Sequence, residues 1–346
     1  MKHVTGMMMV LLVSLSACGK SNDNKPAEKV APQNLTVNTV VSTDSSGTVT
    51  FTAVADHAVS YDYDFGNGYI RTTANGSTSY TYNTPGANTY KVQVTAKSAD
   101  GLTTSQSVSV VVPVSTKLLW SDEFNQDGAP DPKKWGYDIG TGDNGWGNAE
   151  AQYYTDRQQN VSVSDGTLKI IAQKESYNGK DYTSARMLTK GKFNFTYGRV
   201  EVSAKLPVGG GTWPAIWMLG SNIATAGWPA CGEIDIMEHK GNEPQKIYGT
   251  VHHPDHAGAN GDGGTTMVAN ETGAFHKYTL DWSPKQLRWY VDDKLYFTFN
   301  NAAGLPFNHD FFILLNFAVG GTFGGAIDPA FTKGVMEVDY VRVYKN

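Results

Sequence analysis

The segment Gly232-Glu-Ile-Asp-Ile-Met-Glu-His239 gathers three carboxylates, Glu233, Asp235 and Glu238, on one short run. Read as a strand, it places alternate side chains on the same face, so Glu233 and Asp235 point one way and Ile234 and Ile236 enter a core. Strict alternation would then turn Glu238 into that core, where an unpaired charge is costly. One extra residue near Met237, a β-bulge, corrects the parity and predicts all three acids on one face. Like charges side by side weaken a strand, so a purely structural strand gains nothing from them. A solvated acidic face is the plain alternative. A calcium site is another, but calcium takes about six to eight oxygens, usually from a curved loop, which an extended strand offers poorly.

The pattern suits cleavage of an acetal between two sugars. One carboxylate attacks the anomeric carbon while a second, about 5–5.5 Å away, protonates the leaving oxygen. After a bulge the Glu233 and Glu238 backbones stand roughly 13 Å apart at about 3.3 Å per position. Two Glu side chains leaning together close most of that gap. Asp235 between them would hold Glu233 by a hydrogen bond and keep Glu238 protonated by like-charge repulsion.

The elements that must position this strand are themselves strands. Short alternating runs recur along the chain, and no long stretch has helical periodicity. Charged residues are only 18% of the chain and Gly numbers 37, which together predict an all-β protein. Its 346 residues suffice for two domains. The net charge of −5, with no Lys or Arg block, argues against a nucleic-acid partner. The 8 Trp and 18 Tyr fit a carbohydrate ligand, whose C–H faces stack on rings, although any one of them could equally fill a core.

G-E-I-D-I-M-E resembles the E-x-D-x-x-E motif of glycoside hydrolase family 16 in its bulged, laminarinase-like form. The resemblance runs in order through Leu119-Trp-Ser-Asp-Glu-Phe124, Gly145-Trp-Gly-Asn-Ala-Glu150, Tyr182-Thr-Ser-Ala-Arg186, Gly211-Thr-Trp-Pro-Ala-Ile-Trp-Met-Leu219, Gly249-Thr-Val-His252 and Val338-Asp-Tyr-Val-Arg-Val-Tyr344. It implies a concanavalin-like β-jelly roll over 117–346, with the sugar cleft on the concave sheet. It also implies a retaining endo-β-1,3-glucanase with Glu233 as nucleophile, Asp235 assisting and Glu238 as acid/base. The substrate would be β-glucan. Mixed β-1,3/1,4-glucan is the closest rival, and a non-catalytic glycan-binding surface lipoprotein is a rival of another class. Agarases and carrageenases share the bulge but usually need basic contacts, and no basic cluster lies near the motif.

The same resemblance assigns Trp213, Trp217 and Trp228 as sugar platforms. Asn148 and Arg186 would hydrogen-bond the sugar, and His252 would lie in the cleft near the acid/base. Glu150 and Asn316 are further cleft candidates. No metal or cofactor is needed for the chemistry. A structural calcium is implied at Glu123, the carbonyl of Gly166 and Asp339, tying distant segments together.

Before this domain lie three shorter pieces. Residues 1–17 read as a secretion signal whose apolar run is too short to span a bilayer. Leu15-Ser16-Ala17-Cys18 resembles a bacterial lipobox, so Cys18 is expected to carry lipid and anchor a secreted lipoprotein at the outer membrane or cell surface. Residues 18–32 read as a polar tether. With Cys18 acylated, Cys231 has no intrachain partner and is expected to be a packed residue. Residues 33–113 show the spacing of an Ig-like sandwich of about seven strands. There Tyr63-Asp-Phe-Gly-Asn-Gly68 and Tyr80-Thr-Tyr-Asn-Thr-Pro-Gly86 resemble the PKD pattern, with Tyr63 and Asn67 replacing its usual Trp and Asp. Its expected role is a spacer, joined to the second domain by a linker over 113–116. A monomer is expected.

Overall fold

The computed structural model describes residues 29–115 and 117–345. The secretion signal and Cys18 lie outside the described residues.

The first domain pairs a three-stranded sheet (Gln33–Val41, Thr48–Asp56, Ser77–Thr81) with a four-stranded one (Ser60–Asp64, Ile70–Thr73, Gly86–Lys97, Thr103–Val114). The inward positions of these strands close an aromatic core in which Phe65 stacks on Tyr80 at 4.3 Å and Tyr82 on Tyr90 at 3.9 Å. Tyr63 is fully buried with its hydroxyl on the Gly76 carbonyl, and Asn67 donates to the Tyr80 hydroxyl. Both substitutions in the motif therefore have partners. Pro113, expected in the linker, instead sits in Thr103–Val114 opposite Ala87. That strand is at the sheet edge, where a missing N–H costs no ladder bond.

The second domain is a jelly roll of two sheets. The inner sheet has seven strands in the spatial order Asp262–Met267, Lys246–His252, Glu233–His239, Thr212–Gly220, Phe311–Val319, Arg186–Leu188 and Gly136–Tyr137. The outer, ten-stranded sheet includes Gly198–Lys205, His276–Trp282, Gln286–Val291, Lys294–Asn300 and Lys333–Lys345. Between them lies one continuous apolar core, to which the acid-bearing strand contributes Ile234, Ile236 and Met237. Cys231 is fully buried and belongs to a smaller cluster with Leu219, Phe312 and Leu314.

The first domain is docked on the outer sheet. The Leu295 amide donates to the Asn67 carbonyl at 2.7 Å, and Asn83 Nδ2 donates to Asp281 Oδ2 at 3.3 Å. The Arg288 guanidinium lies 5.7 Å from the Tyr69 ring and 5.9 Å from the Tyr80 ring. Gly68 makes the close approach possible, since a Cβ there would meet the Leu295 carbonyl oxygen at 2.5 Å. Beneath this contact Arg199 is buried and paired to Glu201, Asp281 and Asp293 at 2.7, 3.0 and 3.3 Å. The acid-bearing strand belongs to the other sheet, so the docked domain leaves its open face uncovered.

This contact predicts that the two domains unfold together. Calorimetry of the full chain should show one transition. Arg288→Ala should lower stability by about 1–2 kcal/mol, the worth of a partly desolvated cation–π contact. Two separate transitions in the unaltered chain would show that the docking carries no stability.

Candidate active site

The bulge is present. Asp235 pairs with Thr250 and Glu238 with Tyr248, so three steps on the acid strand match two on its neighbour. On the other side Asp235 pairs with Trp217 and Met237 with Ile216. Ile236 and Met237 both turn into the core, at 2% and 0% exposure, and Glu233, Asp235 and Glu238 share the opposite face. Trp289 of the outer sheet reaches through the core and donates from Nε1 to the Asp235 carbonyl at 2.8 Å. A bulge interrupts ladder pairing, and this bond gives the carbonyl at the kink a partner. Gly249 makes room, because a Cβ there would meet Trp289 Cδ1 at 2.6 Å and the Tyr296 hydroxyl at 2.5 Å.

Each Glu accepts an indole N–H, Glu233 from Trp228 and Glu238 from Trp213, both at 3.0 Å. His252 Nε2 stands 3.2 Å from Asp235 Oδ2 and 3.7 Å from Glu233 Oε1. Burial first, then the charges of Asp235 and Glu238, push Glu233 up to about 8. Burial alone pushes Asp235 up to about 8. Burial and then Asp235 do the same to Glu238. The three therefore titrate as a coupled set. Their surroundings differ, however. Glu233 keeps 18% side-chain exposure, against 5% for Asp235, and both His252 and Arg186 favour its charged form. Glu238, at 9% exposure, also faces the Asp235 charge, and its largest stabilising partner is the neutral Trp213 N–H. The set can thus offer one carboxylate as nucleophile and one carboxylic acid as proton donor.

The other residues singled out in the sequence surround this cluster. Arg186 lies between two indoles, 4.4 Å from the Trp146 ring and 4.8 Å from the Trp217 ring, and its Nε stands 3.0 Å from Asp138. Trp217 donates to Asn316, which donates to the Tyr154 hydroxyl, which donates to the buried Glu150. Asn148 sits in the tight turn Gly145–Ala149, where its side chain contacts the Trp146 carbonyl and Thr322. Trp228 is 49% exposed, an open ring beside Glu233. Trp213 is only partly buried and packs on Phe323 at 5.2 Å, so it lies outside the main core. Trp146, Tyr154 and Phe323 were not picked out from the sequence. Trp146 stood inside the Gly145–Glu150 motif, the one signal that could have flagged it.

The implied calcium positions are only partly suited to an ion. Pairing of Leu168 with Val338 and of Asp122 with Val341 brings the neighbourhoods of Gly166, Asp339 and Glu123 to the same outer strand. Both Glu123 carboxylate oxygens, however, accept from Arg342 at 3.0 and 2.7 Å. An ion there would draw on Asp339 and on backbone carbonyls.

Comparison with known proteins agrees with this architecture. Residues 148–342 match the sequence model of glycosyl hydrolases family 16, and residues 34–112 match that of the PKD domain. A β-glucanase of Rhodothermus marinus is 46% identical over 66% of this chain and 85% of its own length. A glucan endo-1,3-β-glucosidase of Cryptopygus antarcticus is 41% identical over 65% of this chain and 90% of its own. The crystal structure of the Rhodothermus marinus laminarinase superposes with a TM-score of 0.64 at 47% identity, covering 67% of this chain and 98% of that one.

The raised acids carry a stability cost with a defined sign. A carboxyl whose folded pKa lies above its unfolded value holds more protons folded than unfolded, so stability falls as pH rises from about 4 to about 8. Glu238→Gln should therefore raise the melting temperature at pH 8, by roughly 1–4 kcal/mol of stability, and leave it little changed at pH 4. Equal effects at the two pH values would mean that Glu238 is not held protonated.

Proposed function

Because the chain belongs to glycosyl hydrolases family 16, we propose that it is an endo-acting β-glucanase that cuts β-1,3-linked glucan with retention of configuration. Glu233 is the nucleophile, Glu238 the acid/base and Asp235 the group between them. The observation that carries the reading is the bulge, which turns Glu238 onto the face of Glu233 and Asp235.

In the first step Glu233 attacks the anomeric carbon while Glu238 gives its proton to the glycosidic oxygen. The C–O bond breaks, and the leaving chain departs as an alcohol. In the second step Glu238, now a carboxylate, takes a proton from water as the water oxygen attacks the same carbon and releases Glu233. Two inversions give net retention. Glu233 suits the first role because its exposure, the Trp228 N–H and nearby Arg186 and His252 support its charge. Glu238 suits the second because its burial and Asp235 disfavour its charge. Trp228, Trp213 and Trp217 offer rings to the sugar faces, while Arg186, Asn148 and His252 offer polar contacts. The names of the relatives support β-1,3-glucan as substrate. The lipobox-like Leu15–Cys18 supports a lipid-anchored, secreted placement. Calcium held by Asp339 and the Gly166 carbonyl belongs to the same reading as a structural ion.

Incubation with laminarin, lichenan, barley β-glucan and agarose, followed by product sizing, should give short oligosaccharides from laminarin. Proton NMR should show the β-anomer first. Cleavage of agarose alone would overturn the substrate, and an α-anomer appearing first would overturn retention. Glu238→Ala should lose roughly 10²–10⁴-fold in turnover on polysaccharide, yet keep activity on aryl glycosides whose leaving group needs no proton. Full turnover by Glu233→Ala would sink the assignment of the nucleophile. Added calcium should raise the melting temperature of the unaltered protein and leave that of Asp339→Asn unmoved; the same rise in both would remove the calcium proposal.

A further inference from the structure

We propose that His253, His256 and Asp262 form a binding site for a divalent transition-metal ion of the zinc class, separate from the catalytic acids. Their candidate ligand atoms lie within 4.8 Å of one another. His253 Nε2 is 3.0 Å from Asp262 Oδ2, and His256 Nδ1 is 2.8 Å from Asp262 Oδ1. Ligands at about 2.0–2.1 Å around a tetrahedral ion lie roughly 3.3 Å apart. The two imidazole contacts fall on different oxygens of Asp262, so the rings and the carboxylate must close on one ion by side-chain rotation within their 4.8 Å separation. Two imidazoles and one carboxylate are a borderline donor set that favours zinc over calcium or magnesium, which take oxygen.

The backbone builds the cluster. The strand Lys246–His252 ends at a tight turn in which His253 and His256 exchange both backbone hydrogen bonds. Asp262 opens the next strand and pairs with Val251, which brings its carboxylate back beside the two rings. Side-chain alternation sends His252 to the catalytic acids and His253 to the other side. There the His253 ring packs near Phe299 and Phe307, at 5.9 and 6.1 Å between centroids. His253 is thus a buried, apolar-backed ligand. His256, at 53% side-chain exposure, leaves the site open to an entering ion and to a water as fourth ligand.

The site has a physical link to the cleft. The loop it closes contains Gly261, where a Cβ would meet His252 Cε1 at 2.6 Å. A bound ion would fix the loop that backs His252, and His252 stands 3.2 Å from Asp235.

A second cluster, Glu233, Asp235 and His252, could also attract a metal, so the test must separate the two. The full chain, stripped with a chelator, is titrated with zinc by calorimetry, alongside His256→Ala, Asp262→Asn and Glu233→Gln. Cobalt(II) is added to each as a spectroscopic probe. One ion should bind the unaltered protein and Glu233→Gln, raise the melting temperature of both, and give the intense visible bands of four-coordinate cobalt. Affinity should fall at least about tenfold in His256→Ala and in Asp262→Asn. His256 is exposed and Asn matches Asp in shape, so both variants should keep the circular dichroism of the parent. Binding retained in these two but lost in Glu233→Gln would assign the ion to the catalytic acids and overturn the proposal. So would the lack of any saturable binding.

Discussion

One extra residue in the strand Glu233–His239 governs the chemistry of this domain. Without it, Glu238 would enter the core and Met237 would take its place on the face of Glu233 and Asp235. With it, two apolar neighbours, Ile236 and Met237, both turn inward, and three acids share the cleft. Such a kink must be held, because the ladder it interrupts would otherwise favour regular pairing. Trp289 holds it by donating to the Asp235 carbonyl from the opposite sheet. Gly249 and the packing of Tyr296 then follow from the room that indole needs. The arrangement of the three acids is thus supported from behind, through the core, by Trp289 of the opposite sheet.

The donors chosen for the acids matter as much as their positions. A lysine or arginine paired directly with Glu238 would hold it ionised and remove its proton from use. Trp213 and Trp228 supply neutral N–H groups that orient the carboxylates without neutralising them. The guanidinium of Arg186 is stacked between two indoles and set against Asp138, so its charge reaches Glu233 at a distance. Gathering three buried acids costs stability at neutral pH, and the extensive shared core of the two sheets offsets that cost.

Much of this could be read in the residues. Glu238 revealed the bulge because a charged side chain is costly in a core position, the alternating runs revealed the first sandwich, and the family resemblance implied the jelly roll. What stayed hidden depends on segments distant along the chain. Nothing local pairs Arg186 with Trp146, or places Trp289 under Asp235. Glu123 read as a calcium ligand, yet its carboxylate is engaged by Arg342 from the far end of the domain. Pro113 read as the start of the linker, and only the sheet order shows that it closes an edge strand. The docking of the first domain was equally invisible, since Asn67 and Asn83 sit in motifs that mark only their own module and Arg288 sits in none.

His252 and His253 show how period-two alternation joins two environments at a strand end. One ring faces the acids, and the next faces Asp262 on the other side of the sheet. The loop that follows His253 returns through Gly261, whose missing Cβ leaves room for the His252 ring. Regular strand geometry therefore sets a solvent-reachable cluster within a few ångströms of backbone of Glu233 and Asp235. The acid strand is held on its core side by Trp289, so the turn after His253 and the bulge rest on separate supports.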